Sequence, residues 1–314
     1  SGDGMQLAGN IFSTVSATIG NGISTFPDYP ADIRAPQGSL TGVSGFQVHI
    51  GEGKVYTPGD KCDVLVAMNA AALKTQYKHA KPQATIIIDT DSFGPKDLEK
   101  AEFKTADYLA EMGIDEDRVV ACPITKVVKD CLADSGMDNK AIMKCRNMFA
   151  LGIVCWLFNR DVTLVENFLR EKFAKKPQIA ENNIKVVNAG FNYGHNTHAG
   201  VPATYRIESK NKVKGRYMDI TGNKATAYGL IAAAEKAGMK LFLGSYPITP
   251  ATDVLHELAK HKSLGVTTVQ CEDEISGCAS AVGASFAGAM AATSTSGPGV
   301  CSKSEAINPA VIHD

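Results

Sequence analysis

The stretch MKLFLGSYPITPATDVLHELAKH, residues 239–261, decides the fold of the second half of the chain. Its apolar beginning predicts a buried strand, and its end predicts a helix. The connection between them holds two prolines, Pro247 and Pro250, which make it stiff and remove two backbone donors. A strand that leads directly into a helix is the repeating unit of a parallel α/β sheet.

The alternation of strand and helix continues through residues 222–314. KATAYGLIAAAEKAG predicts a helix that ends at Gly238, a residue suited to a helix C-cap. VTTVQCEDE and AATSTSGPG predict strands that run into polar loops, and EISGCASAVGASFAGAM predicts a helix of small side chains between them. Ligands of parallel α/β sheets bind beyond the carboxyl ends of the strands. Three segments are expected to meet there: Tyr246–Pro250, Cys271–Glu274 and Thr293–Gly299.

The first part of the chain, residues 1–194, predicts another α/β domain, with a mixed sheet. Apolar runs in CDVLVAMN (62–69), ATIIIDTD (84–91) and DRVVACPIT (117–125) are typical of parallel strands buried on both faces. GFQVHIGEGKVY (45–56) alternates apolar and polar residues before a Gly-Glu-Gly turn. This pattern predicts a hairpin between that strand and the residues after the turn.

Three helices are predicted in the same part. A long helix is expected near Ala141–Phe158, and the next one carries the capping-box signature Thr163-x-x-Glu166. The first follows a glycine loop at the start of the chain and has apolar residues at every fourth position: Leu7, Ile11, Val15 and Ile19.

The segment from Asn188 to Asn223 is rich in Gly, Asn and Lys and has weak periodicity, which predicts an interdomain connection. We expect the linker at residues 195–221. His195 and His198 lie within it, but a metal site needs a third and a fourth ligand, and none is nearby in sequence. Two solvated loop histidines are therefore the favoured interpretation.

The composition argues against a nucleic-acid-binding protein, a membrane protein and an iron–sulfur protein. The chain has 44% apolar residues, 21% charged residues and a net charge of −1. It therefore lacks the broad positive electrostatic field that attracts nucleic acid or an anionic membrane surface. No apolar run reaches the roughly 20 residues that span a bilayer. Eight cysteines are scattered without a C-x-x-C pair, which indicates reduced thiols, a cytoplasmic location and no iron–sulfur cluster on this chain.

Two residues near the strand ends, Thr249 and Glu274, are candidates for ligand binding or proton transfer. Thr249, held between two prolines, can offer a hydroxyl to a carboxylate or carbonyl; the alternative is a helix cap, which Thr252 can provide alone. Glu274 leads into the small-residue helix, and tight packing there would desolvate it and raise its pKa. A buried glutamate that holds and returns a proton is what thiamine diphosphate requires. The alternative is that Glu272, Asp273 and Glu274 only complement the helix dipole.

Together, SYPITPATD, EDEISGCASAVGASFAGAM and TSTSGPG resemble the pyrimidine-binding domain of the 2-oxoacid:ferredoxin oxidoreductases, in particular the alpha subunit of the 2-oxoglutarate type. GFQVHI, DVLVAMN and GFNYG resemble the gamma domain that is often fused ahead of alpha. The resemblance implies a Rossmann-like gamma domain at 1–194 and a partial thiamine-binding α/β domain at 222–314. It also implies a chain that is incomplete at both ends.

The resemblance assigns roles to individual residues. It implies that Glu274 pairs with the aminopyrimidine and that Thr249 faces the thiazolium and the substrate carboxylate. The motif implies that Tyr246, Pro247 and Ile248 line the cofactor beside Thr249, with Ser296 and Gly297 on a nearby loop. No metal ligand is expected on this chain.

The activity implied is oxidative decarboxylation of 2-oxoglutarate to succinyl-CoA, with electrons passed through iron–sulfur clusters to ferredoxin. A beta subunit would hold the pyrophosphate half of the site, Mg²⁺ and a 4Fe–4S cluster, and coenzyme A would be the co-substrate. A second alpha copy would complete a heterotetramer, and this chain alone would not catalyse. The alternatives are the same chemistry on pyruvate or another 2-oxoacid, and a non-catalytic scaffold subunit.

One motif is set aside. Gly2-Asp3-Gly4 is similar to the start of a thiamine diphosphate and Mg²⁺ motif, but it lacks the preceding strand and the following Asn pair. Gly2, Gly4 and Gly9 also miss the G-x-G-x-x-G spacing of dinucleotide sites. A glycine-rich turn of the gamma domain is the preferred interpretation.

Overall fold

The computed structural model describes residues 3–30, 35–36, 38–197, 204–210, 215 and 217–312. The chain divides into two compact units, Ser1–Arg216 and Tyr217–Asp314. Each unit combines helices with a parallel sheet, so the predicted α/β class is confirmed.

The first unit carries five strands and nine helices in its described residues, together with short 3-10 turns. In chain order these are α1 Asp3–Thr18, β1 Gly22–Asp28, β2 Gly45–Gly51, β3 Cys62–Ala67, α2 Ala70–Gln76, β4 Ala80–Asp89, α3 Pro95–Lys100, α4 Tyr108–Met112, β5 Val119–Cys122, α5 Ile124–Cys131, α6 Asn139–Lys144, α7 Arg146–Leu157, α8 Val162–Lys172 and α9 Pro177–Thr197.

The strands of this unit form two separate sheets, one antiparallel and one parallel, so the single mixed sheet predicted for this part is wrong in the described residues. The three apolar runs pair in parallel in the order β3-β4-β5, and the central β4 is buried on both faces, with Ile86, Ile87 and Ile88 at most 1% exposed. The predicted hairpin after β2 is wrong. β2 pairs antiparallel with the earlier strand β1, from Gly22↔Gly51 to Asp28↔Gly45, and residues 54–56 are not in a strand.

A buried carboxylate, that of Asp89, lies at the carboxyl end of β4. Asp89 is 0% exposed and accepts hydrogen bonds from the Thr125 hydroxyl at 2.8 Å, the Thr125 amide at 3.2 Å and the Ser92 hydroxyl at 3.1 Å. Arg146 Nη1 forms an ion pair with it at 3.4 Å. Since each partner comes from a different element, Asp89 fixes the loops at this edge of the sheet.

Several helix boundaries differ from the sequence predictions. The helix expected at 141–158 is broken at Cys145 into α6 and α7. The capping box at Thr163 is wrong: the Asp161 side chain caps α8 by accepting from the Thr163 amide at 2.9 Å. α1 begins at Asp3, so Gly4 lies in the helix rather than in a loop, and Ile19 follows the helix end at 43% exposed. Gly2 lies outside the described residues.

The predicted linker region begins inside a helix. α9 continues to Thr197, so His195 lies in its last turn, with its Nδ1 3.3 Å from Asn196 Oδ1. His198 lies outside the described residues. The exact domain limits stay a prediction.

The second unit is the regular strand–helix alternation expected from the sequence. Its elements are α10 Gly222–Ala237, β6 Leu241–Ser245, α11 Thr252–Leu258, β7 Val266–Gln270, α12 Glu274–Phe286, β8 Met290–Ala292 and α13 Gly299–Ile312. The strands are parallel in the order β7-β6-β8, with apolar side chains of β6, α10 and α11 forming the core. Gly238 ends α10 in the left-handed conformation, φ 68°, as predicted.

Among the described residues, no helix is both long and apolar enough to cross a membrane. Within those same ranges, no three His, Cys, Asp or Glu side chains are grouped so that they could hold a metal ion.

Candidate active site

The three predicted segments converge at the carboxyl edge of the β7-β6-β8 sheet. Hydrogen bonds join the strand ends directly. The Cys271 amide after β7 donates to the Ser245 carbonyl at 2.9 Å, and the Ser245 hydroxyl donates to the Ser294 carbonyl after β8 at 2.9 Å. Because the middle strand links to both neighbours, the loops that follow the three strands are held beside one another.

The small residues of α12 explain how this helix approaches the site. Gly277 is buried, and a Cβ atom there would lie 3.2 Å from Ser245 Cα and 3.3 Å from the Tyr246 amide nitrogen. A larger side chain would therefore push the first turn of α12 away from the end of β6. The packing brings the start of α12 next to the Tyr246–Pro250 connection.

The three acidic residues before and in α12 have different roles. Asp273 is the helix cap, since its Oδ1 accepts from the Ser276 amide at 2.7 Å, and Glu272 is exposed. Glu274 is half-buried, and within the described ranges its carboxylate forms no hydrogen bond or ion pair. A half-buried carboxylate without a protein partner is free to accept a hydrogen bond from a ligand.

In the proline-flanked connection Tyr246–Pro250, the Thr249 hydroxyl forms no hydrogen bond within the described part of the chain. Tyr246, Pro247 and Ile248 are half-buried, while Thr249 is exposed. The prediction that Thr252 caps the next helix is wrong: it is the first residue of α11, and no side chain caps this end. The Thr252 amide instead donates to the Ile248 carbonyl at 2.9 Å. Neither threonine hydroxyl serves as a helix cap, so the Thr249 hydroxyl is available to a ligand.

Ser296 and Gly297 form the turn between β8 and α13. Gly297 adopts φ 59°, a left-handed conformation that glycine accepts without strain. The Ser296 carbonyl accepts from the Gly299 amide at 3.3 Å, and its side chain is half-buried. This loop approaches Glu274 through Gly299, where a Cβ atom would lie 3.1 Å from Glu274 Cγ.

Two polar groups at this edge, Lys303 Nζ and Thr295 Oγ1, were not predicted from the sequence. Lys303 of α13 is 4% exposed and donates from Nζ to Thr293 Oγ1 at 2.7 Å. Burial lowers the pKa of Lys303, and the nearby Cys278 and Glu274 side chains partly oppose that effect. Thr295 Oγ1 is buried and has no partner in the described part of the chain. A lysine after a Gly-Pro-Gly turn is ordinarily exposed, so the sequence carried no signal for it.

Two family models match the chain. The model for pyruvate ferredoxin/flavodoxin oxidoreductase matches residues 1–193, and the model for the thiamine diphosphate-binding domain of pyruvate flavodoxin/ferredoxin oxidoreductase matches residues 232–314. Glu274, Thr249 and the Thr293–Gly299 loop all fall within the second match.

Curated relatives agree with these matches. The 2-oxoglutarate oxidoreductase subunit KorA of Mycobacterium tuberculosis is 45% identical over 313 residues, which are 99% of this chain and 48% of the relative. The 2-oxoacid:ferredoxin oxidoreductase 2 subunit alpha of Aeropyrum pernix is 27% identical, over 82% of this chain and 39% of the relative. The chain therefore spans about half the length of these relatives or less.

A solved structure has the same fold. The 2-oxoglutarate:ferredoxin oxidoreductase of Magnetococcus marinus, with 2-oxoglutarate, coenzyme A and succinyl-CoA bound, superposes with a TM-score of 0.66 at 28% identity. The match covers 93% of this chain and 45% of that one. With more than half of its residues matched by the first family model, the chain belongs to the pyruvate ferredoxin/flavodoxin oxidoreductase family, the 2-oxoacid:ferredoxin oxidoreductases that its motifs resemble.

Proposed function

We propose that this chain is part of the alpha subunit of a 2-oxoglutarate:ferredoxin oxidoreductase and supplies the pyrimidine side of its thiamine diphosphate site. One observation carries the proposal. Glu274, half-buried and without a hydrogen-bond partner in the described residues, opens onto the edge where the loops after β6, β7 and β8 meet.

The residues at this edge fit the cofactor. The free Glu274 carboxylate can pair with the ring nitrogen of an aminopyrimidine, and Tyr246, Pro247 and Ile248 offer a half-buried surface beside it. The missing side chain of Gly299 leaves room for the Glu274 side chain. When bound, thiamine diphosphate supplies the carbanion chemistry of decarboxylation, and the protein positions and tunes it.

Two side chains of this chain act in the proposed reaction. Glu274 exchanges a proton with the ring nitrogen, which is general acid–base catalysis by a positioned carboxyl group. Thr249, held by Pro247 and Pro250, donates its hydroxyl to the carboxylate of the 2-oxoacid. Ser296 and Gly297 form the turn on the β8 side, and this loop reaches Glu274 through Gly299.

The partners proposed for the complete enzyme are those expected of the family. A beta subunit holds the pyrophosphate with Mg²⁺ and carries a 4Fe–4S cluster, coenzyme A takes the acyl group, and ferredoxin takes the electrons. A second alpha copy completes a heterotetramer. We propose a cytoplasmic location, which the eight free thiols support.

The substrate proposed is 2-oxoglutarate because the relative at 45% identity is named for it, as is the superposed structure. Pyruvate is the second candidate, since both matching family models are named for that acid. The two are separated by comparing kcat/KM for each acid with coenzyme A and a viologen dye as electron acceptor.

The proposal is tested with Glu274→Gln in the full-length protein assembled with its partner subunit. Loss of the carboxyl proton exchange is expected to lower kcat by a factor of about 100 to 10,000. Glu272→Gln, two residues earlier and exposed, is the matched control and should retain activity. Near-normal turnover by Glu274→Gln would refute the site, and an assembled wild-type complex without thiamine-dependent turnover would favour the scaffold alternative.

A further inference from the structure

Lys303 is an ammonium group placed where an apolar side chain would be expected. It is 4% exposed, and within the described residues its only hydrogen bond is to Thr293 Oγ1 at 2.7 Å. A lysine ammonium has three donors, and burying it with one acceptor is unfavourable. Packing alone therefore does not account for a lysine at this position.

The register of two helices puts Lys303 next to Glu274. α12 and α13 pack against each other, and Gly299 at the start of α13 faces Glu274 at the start of α12. Lys303 lies one turn after Gly299, and Cys278 lies one turn after Glu274. The Lys303 ammonium interacts electrostatically with both of these α12 side chains, but it does not form an ion pair with Glu274.

Thr293 connects Lys303 to the loop that follows β8. It is the first residue after β8 and precedes Ser294, which bonds to Ser245 of the central strand. Thr295 follows, with a buried hydroxyl that a Cβ atom on Gly299 would approach to 2.1 Å. Because Lys303 donates a hydrogen bond to Thr293, it restrains the beginning of the Thr293–Ser296 segment, which lies beside Glu274.

We infer that Lys303 is a positioning residue for Glu274. Bound to Thr293, its ammonium fixes the Thr293–Ser296 segment beside Glu274 and so sets the position of the Glu274 carboxyl group. This inference rests on the proposed role of Glu274 at the aminopyrimidine.

The test uses the full-length protein assembled with its partner subunit and thiamine diphosphate. Lys303→Met removes the charge and the donor at similar volume, Thr293→Val removes only the acceptor, and Thr293→Ser restores a hydroxyl. Lys236→Met, an exposed lysine of α10, is the matched control. The readouts are the urea midpoint of unfolding, the Kd for thiamine diphosphate and the rate of deuterium exchange at its C2 atom.

Lys303→Met is expected to unfold at the same or a higher urea concentration, because a poorly paired buried cation is removed. Its Kd for thiamine diphosphate should stay within about threefold of wild type, while C2 exchange slows about 10- to 100-fold, the size of a lost charge-assisted contact. Thr293→Val should slow exchange in the same direction, and Thr293→Ser should recover it. Lys236→Met should match wild type in all three readouts.

Wild-type exchange in Lys303→Met would overturn the inference. Slower exchange that is fully explained by a lower urea midpoint of unfolding would also overturn the inference, because Lys303 would then be a structural residue. Should Lys303→Met fail to fold, wild-type exchange in Thr293→Val would overturn it equally. Glu274→Gln separates the two proposals: rapid exchange in that variant refutes the role of Glu274, whereas slow exchange there with wild-type exchange in Lys303→Met refutes only the role of Lys303.

Discussion

Gly277 of α12 packs against Ser245 at the end of β6 so closely that a Cβ atom on Gly277 would lie 3.2 Å from Ser245 Cα. This contact sets how near the first turn of α12, with Glu274, comes to the Tyr246–Pro250 connection. The opposing atoms are backbone, so they cannot move aside as a flexible side chain would.

Gly277→Ala is therefore expected to destabilise the second unit. Overpacking costs about 1–3 kcal/mol, and the better helix propensity of alanine offsets up to about 1 kcal/mol. Gly283→Ala on the same helix is the control, because a Cβ atom there meets nothing within 4 Å. Urea unfolding should show Gly277→Ala less stable than Gly283→Ala by about 1–3 kcal/mol. Equal stability of the two variants would contradict the close approach.

Gly299→Ala is expected to reduce activity more than stability. The new Cβ atom would lie 2.1 Å from Thr295 Oγ1 and 3.2 Å from Glu274 Oε1, so the Glu274 carboxylate must shift. The carboxylate needs to move by a few tenths of an ångström, so we expect a loss in rate below the roughly 100-fold that a 1 Å misplacement can cause. Gly222→Ala, at the start of α10 with open space around it, is the control. If 2-oxoacid-dependent dye reduction is the same in both variants, Gly299 does not determine the position of Glu274.

Thr249→Ala tests the exposed hydroxyl of the proline-flanked connection. Loss of a hydrogen bond to a substrate carboxylate costs about 1.5–3 kcal/mol, which is about 10- to 100-fold in kcat/KM. The loss should come mainly from a higher KM, with unfolding unchanged because Thr249 supports no other residue in the described part of the chain. Thr252→Ala, three positions later, should keep normal kinetics. Unchanged kcat and KM in Thr249→Ala would remove Thr249 from the site.

Asp89→Ala tests the buried carboxylate of the first unit. Removing it leaves the Thr125 and Ser92 hydroxyls without their acceptor and leaves the Arg146 guanidinium without its counter-charge, although Arg146 still donates to those two hydroxyls. Breaking such a buried pair costs about 3–5 kcal/mol. Asp63 provides the comparison because its ion pair with Lys81 is exposed, and Asp63→Ala should cost at most about 1 kcal/mol. The denaturant midpoint checks both values, and similar losses would show that Asp89 is not specially required.

The buried thiols predict a pH dependence of stability. Burial raises the pKa of Cys155 and of Cys122 to about 12, above the roughly 8.5 of an unfolded thiol. The folded protein therefore binds more protons than the unfolded one at high pH, and the free energy of unfolding should fall as pH rises from about 8.5 towards 12. At pH 8, iodoacetamide should alkylate exposed Cys301 before Cys122 or Cys155. Equal labelling of the three in the native protein would contradict this.

The sequence alone determined the order and type of most elements. The parallel strands were predictable because short, continuous apolar runs rich in Val and Ile that end in polar residues are typical of strands covered on both faces. The three loops of the site followed, because parallel strands end at one edge. Glu274 and Thr249 could be singled out by motif, since their neighbours in sequence, a small-residue helix and two prolines, are also their neighbours in space.

Only the tertiary structure decided contacts between residues far apart in the chain. β2 pairs with β1 and not with the residues after its turn, because several strand edges can satisfy one alternating pattern. Asp161 and Ala251 occupy helix starts where Thr163 and Thr252 were expected to cap, since boundary positions depend on local backbone geometry. Lys303 is buried beside Glu274 because α12 and α13 pack in one particular register, and burial of a lysine is a property of that packing rather than of the residue.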